Sequence, residues 1–310
     1  MTTATATSSL LSAARGSGRR KFKNSLATVL VTLSLLVALV PLVWLLWTVL
    51  SKGLRAITSS GWWTSDQGVR TFSDPGGGAL HGIIGTLEQV AITSVISVPI
   101  ALLVAIFLVE YGAGGWLARS TTFMVDILTG IPSIVAALFI FAIFFVRFDV
   151  GFAGVWVSLA LVLLMIPVVV RTTEEMLKLV PNELREASFA LGISKWKTIL
   201  KVVLPTAFTG IITGIVLGIA RVAGETAPLL ILSHYTPHTN ANPFTDAQAA
   251  LPLMIKDQVA NLGSVNSFTG GVQANFAPDR MWGAALTLIL IVMVLNLIAR
   301  VIGRFNKIAN

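Results

Sequence analysis

Long apolar runs dominate this chain. A helix needs roughly 20 mostly apolar residues to cross a bilayer, and six stretches reach or approach that length: Leu26 to Leu50, Ile83 to Val109, Met124 to Val146, Phe152 to Val170, Thr206 to Leu232 and Trp282 to Val301. They predict an all-α membrane protein with about six transmembrane helices. The fourth stretch is the shortest, and the fifth is interrupted by Arg221 and Glu225. The first follows Arg19, Arg20, Lys21 and Lys23, as a signal peptide would. It is too long for a signal core and no small-residue cleavage site follows, so it reads as a retained span. Met1 to Gly18 is rich in Thr, Ser and Ala, which predicts disorder. Residues 1–25 are therefore read as a disordered basic cytoplasmic tail, and 26–310 as one six-span domain.

Composition agrees with lipid as the main solvent. Residues are 55% hydrophobic and 12% charged, about half the charge of an ordinary soluble domain. There is no cysteine, which excludes disulfides, thiolate metal sites and thiol nucleophiles. The net charge of +8 fits basic cytoplasmic segments better than a nucleic-acid partner. With the N-terminus inside, 15 of the 22 Lys and Arg residues fall on the cytoplasmic segments and six outside, Arg221 being intramembrane. This predicts both termini in the cytoplasm and an outer loop over 233–280, with one short helix near Ala247 to Leu262.

The loop after the fourth span reads RTTEEMLKLVPNELREASFALGISKWKTILKVVLP. Asn182 can cap a helix from Glu183 to Leu191, Gly192 ends it, and Ser194 can cap a second short helix through Val203. Pro205 stands at the start of the next span, where its missing N–H costs nothing. On residues alone, this is a basic amphipathic element at the membrane surface. In the fifth span Gly210, Gly214 and Gly218 recur every four residues, a face for close helix packing. Continued as one helix, the wheel puts Arg221 and Glu225 on that same glycine face, turned toward protein. Each charge costs roughly 2.5–3.5 kcal/mol at a helix centre. Two readings fit: an i, i+4 pair that locks two helices, or a polar path. Arg171 closes the fourth span, with Glu174, Glu175 and Lys178 at pairing distance along the helix, and Pro167 is placed to kink it.

The loop's spacing resembles the EAA loop of ABC importer permeases: Glu186-Ala187-Ser188, three residues, Gly192, nine residues, then Val202-Val203-Leu204-Pro205. Ser188 stands for Ala and Val202 for Ile. TGIPSIVAALF (Thr129 to Phe139), RTTEEML and ARVAGETAPLL (Ala220 to Leu230) further resemble the PstA-type permease subunits of bacterial phosphate importers. The resemblance runs from the first span onward and is weakest in the N-terminal tail and the outer loop. It implies the type I ABC importer permease architecture in the bacterial inner membrane. It also implies that the 182–205 loop docks on a separate ATPase through Glu186, Ala187, Gly192, Leu204 and Pro205.

By the same resemblance Arg171, Glu174 and Arg221 serve the anion path; Glu225 is added from its place on the wheel. The implied partners are a sister permease (PstC type), a homodimeric ATPase (PstB type) and an extracytoplasmic phosphate-binding protein (PstS type). No cofactor belongs to this chain, because it has no Gly-x-x-x-x-Gly-Lys-Ser/Thr loop; ATP and Mg belong on the ATPase. The rivals are a permease for sulfate, molybdate or an organic solute, a membrane-embedded enzyme, and a passive channel. His81, His234 and His238 form no His-Glu-x-x-His set, so neither catalysis nor a metal site is expected, and a channel has no use for a coupling loop.

Overall fold

The computed structural model describes residues 4–112, 114–263 and 275–308, and is wholly helical among them apart from turns and loops. The chain divides into two units, residues 1–51 and 52–310. In the first unit, residues 4–51 form the greater part of helix α1 (Ala4–Ile57). The helix thus begins far upstream of the apolar run, through residues 4–25 that composition assigned to a disordered tail. Ala4, Ala6, Leu10, Leu11, Ala13 and Ala14 are strong helix formers, and they precede a helix that is already nucleated.

The second unit is built around α5 (Gly154–Lys178), the most deeply buried span. Helix α2 (Leu80–Ile106), extended by a π-helical turn at Phe107–Tyr111, packs along it. The residues that α2 buries are mostly small or polar: Gly82, Gly85, Thr86, Gln89, Thr93, Ser97, Ala101 and Ala105, with His81 and Val90 beside them. Its hydroxyls return to the helix itself, Thr93 Oγ1 to Gln89 O at 2.7 Å and Ser97 Oγ to Thr93 O at 2.6 Å. Polar side chains satisfied in this way can stand inside a membrane span.

The expected third span is not one helix. Helix α3 (Trp116–Gly130) and helix α4 (Ser133–Ile140, continued by a π-helical segment Phe141–Arg147) meet at a bend of 104°. Ile131 is extended (φ −71, ψ 126) because it precedes Pro132. Among the described residues, five helices are long and apolar enough to cross a membrane, and one bent pair adds a sixth if it counts as one span.

The fifth expected span is broken as well. Helix α8 (Leu204–Ala223) stops, and α9 (Ala227–Leu232) begins after three residues. Pro228 has no N–H to give the carbonyl four residues back, at Gly224, and its ring clashes there. The break falls at Gly224 itself. Helix α11 (Ala277–Ile308) is longer than the run predicted, and α10 (Leu251–Ala260) is the short helix expected in the outer loop.

The segments that flank α2, α10 and α11 are tied down by buried polar groups. Trp62 Nε1 donates to Thr287 Oγ1 at 2.9 Å. Arg280, almost wholly buried, donates to the carbonyls of Gly76 (2.8 Å), Thr71 (2.9 Å) and Asp74. The Asp74 carboxylate accepts from the Thr71 N–H and hydroxyl, each at 2.8 Å, and these bonds hold its pKa below the usual value. His81, on the first turn of α2, pairs with Tyr235 Oη at 3.0 Å, and burial pushes the Tyr235 phenol up.

Candidate functional site

The glycine face of α8 meets α5. A Cβ at Gly210 would lie 2.2 Å from Met176 Sδ, one at Gly214 2.2 Å from Thr172 Oγ1, and one at Gly218 3.2 Å from Val169 Cγ2. Hydrogen in place of a Cβ at these positions leaves room for the α5 side chains and lets the two helices pack closely, most stringently at Gly210 and Gly214. The two helices run antiparallel, and each carries one of the candidate arginines.

On α5, Arg171 holds two carboxylates. Nη1 donates to Glu174 Oε2 at 2.7 Å, and Nη2 binds the Asp126 carboxylate on α3 and lies 3.4 Å from Thr122 O. Lys178 Nζ donates to the other Glu174 oxygen at 2.7 Å. Two cations and two anions compensate one another, which allows the Glu174 side chain to be only 10% exposed. Glu175, the other candidate partner along the helix, is exposed. Asp126 carries no periodicity or spacing that marks it in the sequence; it is brought in by α3.

On α8, Arg221 differs from its expected setting. Its side chain is 48% exposed rather than turned into the protein. The helix ends at Ala223, so Glu225 does not share its wheel; it lies in the turn that leads to α9. The nearest approach, Arg221 Nε to Glu225 Oε1, is 3.9 Å, beyond hydrogen-bond length. Among the described residues, no ion pair or hydrogen bond joins the Arg171 set to the Arg221 set. The four candidate path residues thus form two groups, one fully paired and one loosely paired.

The loop between α5 and α8 is two helices with an elbow. Helix α6 (Asn182–Ala190) begins after Pro181, with Asn182 already inside it. Asn182 is therefore not the cap; its Oδ1 accepts from Arg185 Nη1 at 3.2 Å. Gly192 turns the chain at φ +75 with open space where a side chain would lie. Ser194 stands at the head of α7 (Lys195–Thr198) with no side-chain capping bond.

This second helix does not stop at Val203. A π-helical segment, Ile199–Val203, joins it to α8, giving one helix from Lys195 to Ala223. Pro205 thus lies in a continuous helix, and the widened turn before it accommodates its ring. Ser188 and Thr198, both buried, share a 2.8 Å hydrogen bond that closes the elbow. The serine that departs from the EAA pattern therefore has its partner in the second helix. Glu186 and Ala187 are exposed on α6, beside Leu184, Phe189 and Leu191, the last 79% exposed. Leu204 and Pro205 are half-buried and lie apart from that surface, at the root of the span.

Residues 97–306 match the family model described as binding-protein-dependent transport system inner membrane component. A phosphate transport system permease protein, PstA 1, of Mycobacterium tuberculosis (strain CDC 1551 / Oshkosh) is 50% identical over 285 residues, covering 92% of this chain and 90% of the relative. The PstA protein of Yersinia pestis is 38% identical over 291 residues, 93% of this chain and 92% of the relative. A chain of a bacterial alginate ABC transporter, crystallised with its alginate pentasaccharide-bound periplasmic protein, superposes with a TM-score of 0.63 at 14% identity. It covers 93% of this chain and 98% of its own, and shows the shared fold.

Proposed function

This chain belongs to the family of binding-protein-dependent transport system inner membrane components, and we propose that it is the permease subunit of an ATP-driven importer of inorganic phosphate. The observation that carries the substrate is the 50% identity with a phosphate permease across nine tenths of the chain. Hydrolysis belongs to a separate ATPase subunit with ATP and Mg, which docks on the exposed face of α6. A sister permease supplies the other half of the path, and an extracytoplasmic binding protein delivers the anion. These partners are of the PstC, PstB and PstS types.

The path is assigned to the α5–α8 face. Arg221 is half-exposed within a spanning helix, and a charge there faces a polar path or a partner chain, not lipid. A guanidinium offers a planar fork of donors to an oxyanion. Glu225, held near it without a firm bond, can accept a hydrogen bond from the hydroxyl of hydrogen phosphate; sulfate has no hydroxyl to donate. The carboxylate then rejects the wrong anion by repulsion. Another oxyanion as substrate remains the alternative, favoured if sulfate competes equally.

In this reading the chain is a multi-pass inner-membrane protein with both termini in the cytoplasm. A single cysteine replacing Phe244, 69% exposed in the outer loop, should react with a membrane-impermeant thiol reagent in intact cells. One replacing the exposed Lys21 should react only after permeabilisation. Outside labelling at Lys21→Cys would reverse the topology. Affinity purification of the tagged chain should bring down an ATPase and a second permease; their absence would count against an ABC assembly.

A further inference from the structure

We infer that Arg185 is a positioning residue for transport: it ties the docking helix α6 to the cytoplasmic ends of α2 and α5. Through it, movement imposed on α6 reaches the helix that carries Arg171 and Glu174. The inference rests on the reading that α6 is where the ATPase docks.

The geometry is unusually complete. Arg185 makes five hydrogen bonds, one for each N–H of its guanidinium. Nε and Nη2 both donate to Glu110 Oε1, at 3.1 and 2.8 Å. Nη2 also donates to Leu177 O at 3.0 Å, and Nη1 to Val180 O at 2.7 Å and to Asn182 Oδ1. The side chains of Arg185 and Glu110 are only 13% and 7% exposed. Glu110 sits in the π-helical turn that ends the second span. Leu177 and Val180 are buried where α5 ends, and Leu177 is three residues from Glu174. One side chain on α6 thus satisfies one carbonyl in the last turn of α5 and one just beyond its end, and neutralises a buried carboxylate in the π-helical turn after α2.

A second arm leaves the same helix on the other side. Ser188 binds Thr198, and α7 is continuous with α8, which carries Arg221. The docking helix therefore grips both walls of the glycine interface. Arg185 takes α5 and α2, and Ser188 takes α8. A push on α6 is passed to both arginine-bearing helices instead of being absorbed in a flexible loop.

The test uses the complete complex with its binding protein in proteoliposomes, and reads phosphate moved per ATP hydrolysed. Two variants are compared with wild type, Arg185→Lys, which keeps charge but loses the fork, and Glu110→Gln, which keeps shape and one acceptor oxygen. In assembled complex, ATP hydrolysis should persist while the transport ratio falls by roughly tenfold or more, as expected for loss of a hydrogen bond between charged groups. An unchanged ratio in both variants overturns the inference. So does a fall in transport and hydrolysis together, in proportion to lost assembly, which marks a structural bond only. Failure of the wild-type complex to accumulate phosphate would instead remove the functional reading on which the inference rests.

Discussion

Arg221→Gln is expected to abolish ATP-driven phosphate uptake while leaving the complex assembled in the membrane. The packing supports both halves of that expectation. The α5–α8 contact is made by Gly210, Gly214 and Gly218 against Met176, Thr172 and Val169, and Arg221 takes no part in it. Its guanidinium lies 3.9 Å from Glu225 with nearly half of the side chain exposed. An ion pair that loose and exposed contributes about 0–1 kcal/mol, so it is a poor lock. Losing one partner from a desolvated, hydrogen-bonded anion contact instead costs about 2–5 kcal/mol, roughly a thirtyfold or larger loss of uptake. Arg221→Lys should recover little, since an ammonium is a point charge without the planar fork. Labelled-phosphate uptake at matched membrane abundance decides it. Full uptake by an Arg221→Gln, Glu225→Gln double variant would reduce the pair to a structural contact and place the anion elsewhere.

The second large effect is expected at the elbow. Gly192→Val should weaken ATPase association and uptake, whereas Gly192→Asn should be tolerated. Nothing lies within 4 Å of a side chain at this position, so bulk is not the obstacle. The obstacle is the backbone, at φ +75. A β-branched residue is a steric outlier there, while Asn enters the left-handed region far more readily. The penalty of roughly 1–2 kcal/mol falls on the turn that orients Leu184, Phe189 and Leu191 toward a partner. It should appear as an affinity loss of roughly fivefold to thirtyfold for the purified ATPase. Equal loss in both variants would show that the glycine serves close approach of a partner chain and not the turn.

Much of this was legible from residues, for identifiable reasons. The spans were visible because hydrocarbon thickness sets a minimum apolar length. The glycine face was visible because it repeats with the helix. The elbow was visible because Gly192 has a conformation few other residues accept. The two breaks, before Pro132 and before Pro228, were hidden by hydropathy, which does not register a missing N–H. Applying the proline rule to Pro228 would have ended α8 at Gly224 and taken Glu225 off the wheel. Asn182 is of a capping residue type, but its side chain accepts from Arg185, three residues on, and caps no backbone N–H. Asp126 and Glu110 were not foreseeable at all. Their partners, Arg171 and Arg185, are 45 and 75 residues away, and no local pattern records such a contact.

The central claim is that this chain carries phosphate across a membrane at the expense of ATP held by a partner. The most direct measurement is the accumulation of labelled phosphate in proteoliposomes that contain the complete complex, the binding protein and ATP, with excess unlabelled sulfate as competitor. The account predicts accumulation that requires ATP, is lost in Arg221→Gln and is unaffected by sulfate. Accumulation without ATP, or equal displacement of phosphate by sulfate, would contradict it.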